Sequence, residues 1–338
     1  MNSDTPDVVR RTSPRSPHAG TGRTASGLTF ALASAAAFGL SGSLARGLLE
    51  TGWSAGAAAG VRMGVAAVVV AVPAALAMRG RWHLVRRAAP TVLLYGLLAV
   101  AGAQLCYFYA VQTLDVGVAL LVEYTSPVAV VLFLWVTRGE RPGRSTVLGA
   151  LVAVGGLALV LGLVSGVTLD GVGVLWSLGA MIGAATYFLV SADDRVGLPP
   201  VALAGGGLLV GSAALGLGGL VGVLPMTAST ADATLGDVAL PWWLLVGLLG
   251  VVTAALAYVT GIAAGRRLGS RVASFVALSE VLMAVLFAWL LLDELPTTAQ
   301  LLGGLLVLAG VVLVKVGEPR HVEEHGATSP TVEPLPPT

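Results

Sequence analysis

The sequence predicts an all-α integral membrane protein of ten transmembrane helices, arranged as two inverted five-helix repeats. Three observations carry that expectation: ten apolar runs of about spanning length, arginine crowded on one side of them, and a self-match of the chain at an offset of 154 residues. The composition agrees, with 56% hydrophobic residues, 11% charged residues and 45 glycines in 338 positions. A water-soluble fold of this length has too little interior for so much apolar surface, whereas lipid accepts it directly.

Taken in order, residues 1–26 are rich in Ser, Thr, Pro, Arg and Gly, lack the apolar stretch of a cleavable signal, and are expected to form a disordered cytoplasmic tail. Apolar runs bounded by charges, Pro or polar clusters then place helices near 27–46, 54–78, 90–112, 114–136 and 145–164, and again near 171–191, 200–223, 241–264, 268–292 and 297–316. Each approaches the about 20 residues needed to cross about 30 Å of hydrocarbon. The links between helices three and four and between eight and nine are short enough to require tight hairpins. Residues 317–338 turn to Glu, His, Pro and Thr, which bury too little apolar surface to order a chain, and are expected to be a second cytoplasmic tail.

Arginine tests that count independently, because cytoplasmic loops carry the Lys and Arg excess. With both termini inside, 17 of the 19 basic residues fall in inner segments, and the exceptions are Arg46, at the outer end of helix one, and Arg62, within helix two. One helix more or fewer would move an arginine cluster outside. The expected location is therefore the cytoplasmic membrane, crossed many times.

The self-match places Leu114, Val118, Ala119, Phe133, Trp135, Glu140, Pro142, Gly149 and Gly156 on Leu268, Val272, Ala273, Phe287, Trp289, Glu294, Pro296, Gly303 and Gly310 without a gap. The repeats are expected over 27–164 and 171–316. An odd number of spans in each makes the second cross in the opposite sense, the plan of alternating-access transporters with a site near the midplane.

The chemistry-bearing residues are few. Glu123 and Glu280 lie inside apolar runs of opposite halves, and a carboxylate at bilayer depth costs roughly 2.5–3.5 kcal/mol on insertion scales, so it persists where it faces a cavity, a partner charge or a transported species. The bland alternative is a buried structural acid paired with Ser, Tyr or Arg62. Arg62 itself is a candidate for a substrate carboxylate or for a salt bridge that braces the fold. Gln104 and Tyr107 stand one turn apart on helix three, and Tyr258 repeats Gln104, so the three are candidates for one cavity or for helix-packing hydrogen bonds.

Other chemistry is disfavoured. Cys106 has no partner thiol and His18, His83, His321 and His325 are scattered, which argues against a disulfide or a metal site. No glycine cluster leads into Gly-Lys-Ser/Thr, so ATP is not expected as the direct energy source, no cofactor is expected, and no nucleophile–base pair suggests an enzyme. The Arg79–Arg87 cluster reads as a topology determinant and lipid-headgroup contact rather than a nucleic-acid surface. Glycine pairs such as Gly155-Gly156 and Gly303-Gly304 read as close helix packing. Trp53, Trp82, Trp242 and Trp243 read as interface anchors.

The repeated pattern of an apolar helix, Glu-x-Pro (Glu140-Arg141-Pro142 and Glu294-Leu295-Pro296) and a Gly-spaced helix resembles the EamA domain of the drug/metabolite transporter superfamily over about residues 27–316. Within it, Tyr107-Phe108-Tyr109 and the run from Leu120 to Pro127 resemble the threonine/homoserine exporter type. The resemblance implies a secondary transporter that exports amino acids or related small metabolites, with a proton as one candidate coupling ion. Export of drugs or amphipathic cations, and a non-transporting scaffold or sensor on the same fold, are the alternatives. One departure is that Glu280 is followed by Val281 where relatives often carry Pro, so no proline enforces a kink there. Substrate identity, direction and oligomeric state are not legible.

Overall fold

Caps and breakers cut the chain close to the expected boundaries. Ser54 Oγ accepts from the Ala57 amide at 3.2 Å, Asp170 accepts from Gly173 at 2.8 Å, and Thr297 with Gln300 forms a reciprocal capping box. A computed structural model describes residues 18–114, 116–162, 170–293 and 295–317. The helices are α1 (His18–Glu50), α2 (Ala55–Ala77), α3 (His83–Leu94), α4 (Ala103–Ala110), α5 (Val116–Glu123), α6 (Ser126–Arg138) and α7 (Arg144–Val160), then α8 (Gly171–Ala192), α9 (Pro200–Leu220), α10 (Trp242–Gly250), α11 (Ala257–Ala277), α12 (Ser279–Leu292) and α13 (Thr298–Val316). Two π-helical stretches, π1 (Tyr95–Gly102) and π2 (Val251–Leu256), join α3 to α4 and α10 to α11.

Among the described residues, eight helical stretches are long and apolar enough to cross a membrane, and α7 and α12 are shorter apolar helices. The molecule is a mostly helical, multi-pass membrane protein. Leu268 and Ser270 belong to one helical run only formally, because Gly269 between them has φ 77° and ψ 162° and turns the chain. A residue with a Cβ is disfavoured at that φ, which makes glycine the natural occupant.

The sequence expectation departs from the structure at several places. The first helix starts at His18, inside the stretch expected to be a tail; extending an existing helix adds one hydrogen bond per residue without a new nucleation cost. The fold is not purely helical, since β1 (Ala233–Leu235) and β2 (Val238–Leu240) pair antiparallel around Gly236-Asp237, a two-residue turn with glycine at positive φ. The expected helices four and nine are interrupted rather than continuous, as described below. Residues 1–17, 163–169 and 318–338, with Asp115 and Glu294, lie outside the described residues, so the Glu294 member of the repeated motif is not placed.

Contacts sort the loops into two groups. At a first end, Gly27 abuts Arg267 and Leu268, Arg271 pairs with Glu140, Arg266 pairs with Asp194, and Gly143 approaches Gly317. At a second end, Trp53 Nε1 donates to the Ser229 carbonyl at 2.7 Å, Tyr109 donates to the Val223 carbonyl at 3.0 Å, and Gly173 abuts Thr113 and Leu114. Trp53 is accordingly buried beside Trp242 in a cluster with Leu44, Leu48 and Leu245, while Trp82 and Trp243 are exposed.

The tightest helix pair is α7 with α13. A Cβ on Gly156 would stand 2.6 Å from the Gly303 carbonyl, and one on Gly303 would stand 2.5 Å from the Gly156 carbonyl; Gly149 and Gly310 meet in the same reciprocal way. Backbones approach this closely only where no side chain intervenes, which is how helices pack when lipid removes the hydrophobic drive between them.

Candidate functional site

Four irregularities in otherwise regular helices build the site. Pro127 has no amide proton to donate, so α5 ends at Glu123 and a new helix, α6, starts at Ser126. Tyr124 and Thr125 form the turn, with the Thr125 hydroxyl donating to the Val122 carbonyl at 2.6 Å. On the other side, α11 and α12 are separated at Leu278, where the Ser279 hydroxyl donates to the Val276 carbonyl at 2.6 Å. The interruption therefore occurs without the proline that the sequence lacks. Glu123 ends one half-helix and Glu280 lies in the first turn of another.

The π stretches supply the other two irregularities. Wider winding displaces backbone groups from the regular ladder. In π2 the Thr253 carbonyl accepts Arg62 Nη2 at 2.7 Å. Arg62 reaches it because α2 lies tight against this region: a Cβ on Gly250 would stand 2.3 Å from Val65. The guanidinium carbon is 5.8 Å from the centre of the Phe38 ring, and Nε has no hydrogen-bond partner.

These features surround one cavity of about 670 Å³. All six residues singled out from the sequence, Arg62, Gln104, Tyr107, Glu123, Tyr258 and Glu280, line it. Gln104 and Tyr107 share the cavity face of α4, while Cys106 turns toward Gly179. Several lining residues were not among the candidate site residues. Tyr124 donates its hydroxyl to Glu280 Oε1 at 3.1 Å, linking a residue of the first half to the carboxylate of the second. Phe38, Tyr187 and Tyr258 form an edge-to-face set with centroids 5.3–6.4 Å apart. Among the described residues no group of three His, Cys, Asp or Glu side chains comes together.

The cavity lining is mainly aromatic and aliphatic, with carboxylates, a guanidinium and an amide placed in it. Such a surface is complementary to a small molecule with apolar parts and two opposite charges.

The pattern of the EamA-like transporter family matches the chain twice, over residues 25–162 and 171–316. The chain belongs to the EamA-like transporter family. Among similar proteins, an uncharacterized inner membrane transporter of Salmonella typhimurium, YicL, is 24% identical over 240 residues, covering 70% of this chain and 76% of that one. An uncharacterized transporter of Archaeoglobus fulgidus is 30% identical over 207 residues, 61% of this chain and 70% of its own length. A crystal structure matches the fold with a TM-score of 0.69 at 20% identity, over 87% of this chain and 98% of the other. EamA-like membership and these relatives make the protein a membrane transporter, and point away from an enzyme.

Proposed function

We propose that this EamA-like protein is a secondary active exporter of amino acids or related small metabolites, working by alternating access across the cytoplasmic membrane. The observation that carries the reading is the meeting of Arg62 of α2 in one cavity with Glu123 and Glu280, which lie at breaks in helices from both halves of the chain. Arg62 keeps Nε free beside its bond to Thr253, which suits a substrate carboxylate. Glu123 or Glu280 receives the ammonium, and a cation at Glu123 also faces the carbonyl end of α5. Proton coupling follows if a carboxylate holds proton and substrate cation in turn. The finer likeness to threonine/homoserine exporters enters here as a choice of substrate class.

The inverted-repeat plan, with ten crossings in repeats 27–164 and 171–316, belongs to the same proposal. It is supported by the repeat offset of 154. That offset carries the Gly139 helix end, φ 70°, onto Asp293, φ 55°, and carries part of π1 onto π2. It also exchanges the α7–α13 contacts, because Gly149 corresponds to Gly303 and Gly156 to Gly310. Loops that alternate between the two ends fit both termini on the arginine-rich, cytoplasmic side.

Counterflow in reconstituted vesicles tests the substrate class. Vesicles loaded with a mixture of amino acids are expected to accumulate labelled members of it, and Arg62→Lys, which keeps charge but loses the planar fork, is expected to raise the half-saturating concentration by about tenfold. No counterflow with any amino acid would remove this substrate class. One observation favours a second reading: the aromatic set beside the carboxylates suits an amphipathic cation, which the same assay reads with a cationic dye in place of the amino acids.

A further inference from the structure

At the first end, three consecutive contacts radiate from one hairpin. The Gly269 turn carries Arg266 and Arg267 on its leading limb and Arg271 on its trailing limb. Arg266 binds the end of α8, donating through Nε to the Ser191 carbonyl at 2.8 Å and pairing with Asp194. Arg267 lies 4.5 Å from the centre of the Phe30 ring of α1. Arg271, only 9% exposed, donates to Glu140 Oε2 at 3.1 Å in the link between α6 and α7. Phe30 and Glu140 belong to the first family match and the hairpin to the second, so two of the three contacts tie the halves together.

Directly above the hairpin, Ala31, Ala264, Leu268, Val272, Ala273 and Val276 form a buried apolar plug, and Ala31, Ala264 and Ala273 are the last of these to touch the cavity. Gly27 seals the plug against Leu268 with no room for a side chain. In the opposite direction the cavity reaches Ala55, Leu224 and the exposed Leu49, at the start of α2, after α9 and at the end of α1.

We propose that the Gly269 hairpin is a latch: Arg271 on Glu140 and Arg267 on Phe30 hold the first end of the cavity shut, so the structure is the state open toward the second end. The latch rests on the reading of this chain as an alternating-access transporter. Both cross-repeat contacts separate when the halves rock, while the Arg266–Asp194 pair, inside the second half, travels with the hairpin. One ion pair whose carboxylate stays open to solvent and one cation–π contact suit this duty, because each is weak enough to break once per cycle.

Thiol accessibility tests the latch without requiring transport, so failure of the transport reading and failure of the latch remain distinguishable. In a Cys106→Ser background, Ala277→Cys places one thiol on the cavity wall. A membrane-impermeant maleimide is applied to either face of oriented vesicles. The thiol is expected to react from the second end. With Glu140→Gln, with Arg271→Gln, and independently with Phe30→Leu, reaction from the first end is expected to rise by about threefold while reaction from the second end falls. The exchanged pair, Glu140→Arg with Arg271→Glu, is expected to restore the original pattern. Unchanged labelling in the folded variants, or an equal rise from both faces, would overturn the proposal.

Discussion

Glu123 and Glu280 stand out in the sequence because inserting a carboxylate at bilayer depth is costly, so their presence demands a reason that composition alone exposes. Tyr124, though inside the run from Leu120 to Pro127, and Phe38 carry no such cost: aromatic residues inside apolar runs are ordinary, and only the fold reveals that one donates to Glu280 and the other lies beside Arg62. The Thr253 carbonyl was illegible for a stronger reason, since every residue has one and only the π winding turns this one toward Arg62. At this scale Asp293 offers a separate test. It ends α12 at φ 55°, where its repeat counterpart is Gly139. A Cβ in the left-handed region costs roughly 1–2 kcal/mol, partly offset for Asp by local hydrogen bonding. Asp293→Gly is therefore expected to raise the unfolding temperature in detergent slightly with transport unchanged, and a lower temperature would show that the Asp side chain contributes more than its backbone costs.

The helix boundaries were legible where a residue acts on the backbone directly: Pro127 starts α6, Gly139 ends it, and Thr297 with Gln300 starts α13. The break at Leu278 and the two π stretches were not, because a shift in hydrogen-bond register needs no distinctive residue. The hairpin of β1 and β2 lay in a segment too short and polar to cross lipid, and its Gly236-Asp237 turn was its only local mark. Helix packing gives the prediction proper to this scale. Placing a side chain at Gly156 or Gly303 must separate α7 from α13, and overpacking of this kind typically costs about 1–3 kcal/mol. Gly303→Leu is expected to lower the unfolding temperature and the yield of folded protein, whereas Gly155→Leu, with open space around the added carbon, is expected to change neither. Equal effects of the two substitutions would show that the close contact is not what holds the pair.

At the scale of the whole molecule, the basic residues and the 154-residue self-match were the legible part, because both are properties of the entire chain and survive local irregularity. The cavity itself was not legible: six candidate residues could be named, but their convergence depends on interruptions that let helices from both halves turn polar groups inward. The proposed orientation predicts that epitope tags at either terminus of intact cells are reached only after permeabilisation, and surface labelling of either tag would reverse it. The claim that binds the scales together is that Glu123 and Glu280 serve one transport site. Reconstituted vesicles carrying a pH difference test it most directly, since Glu→Gln keeps size and hydrogen bonding while removing titration. Substrate movement driven by the pH difference is expected to disappear in Glu280→Gln and to fall by at least about tenfold in Glu123→Gln, with both variants folded. Undiminished, pH-driven movement in both variants would contradict it.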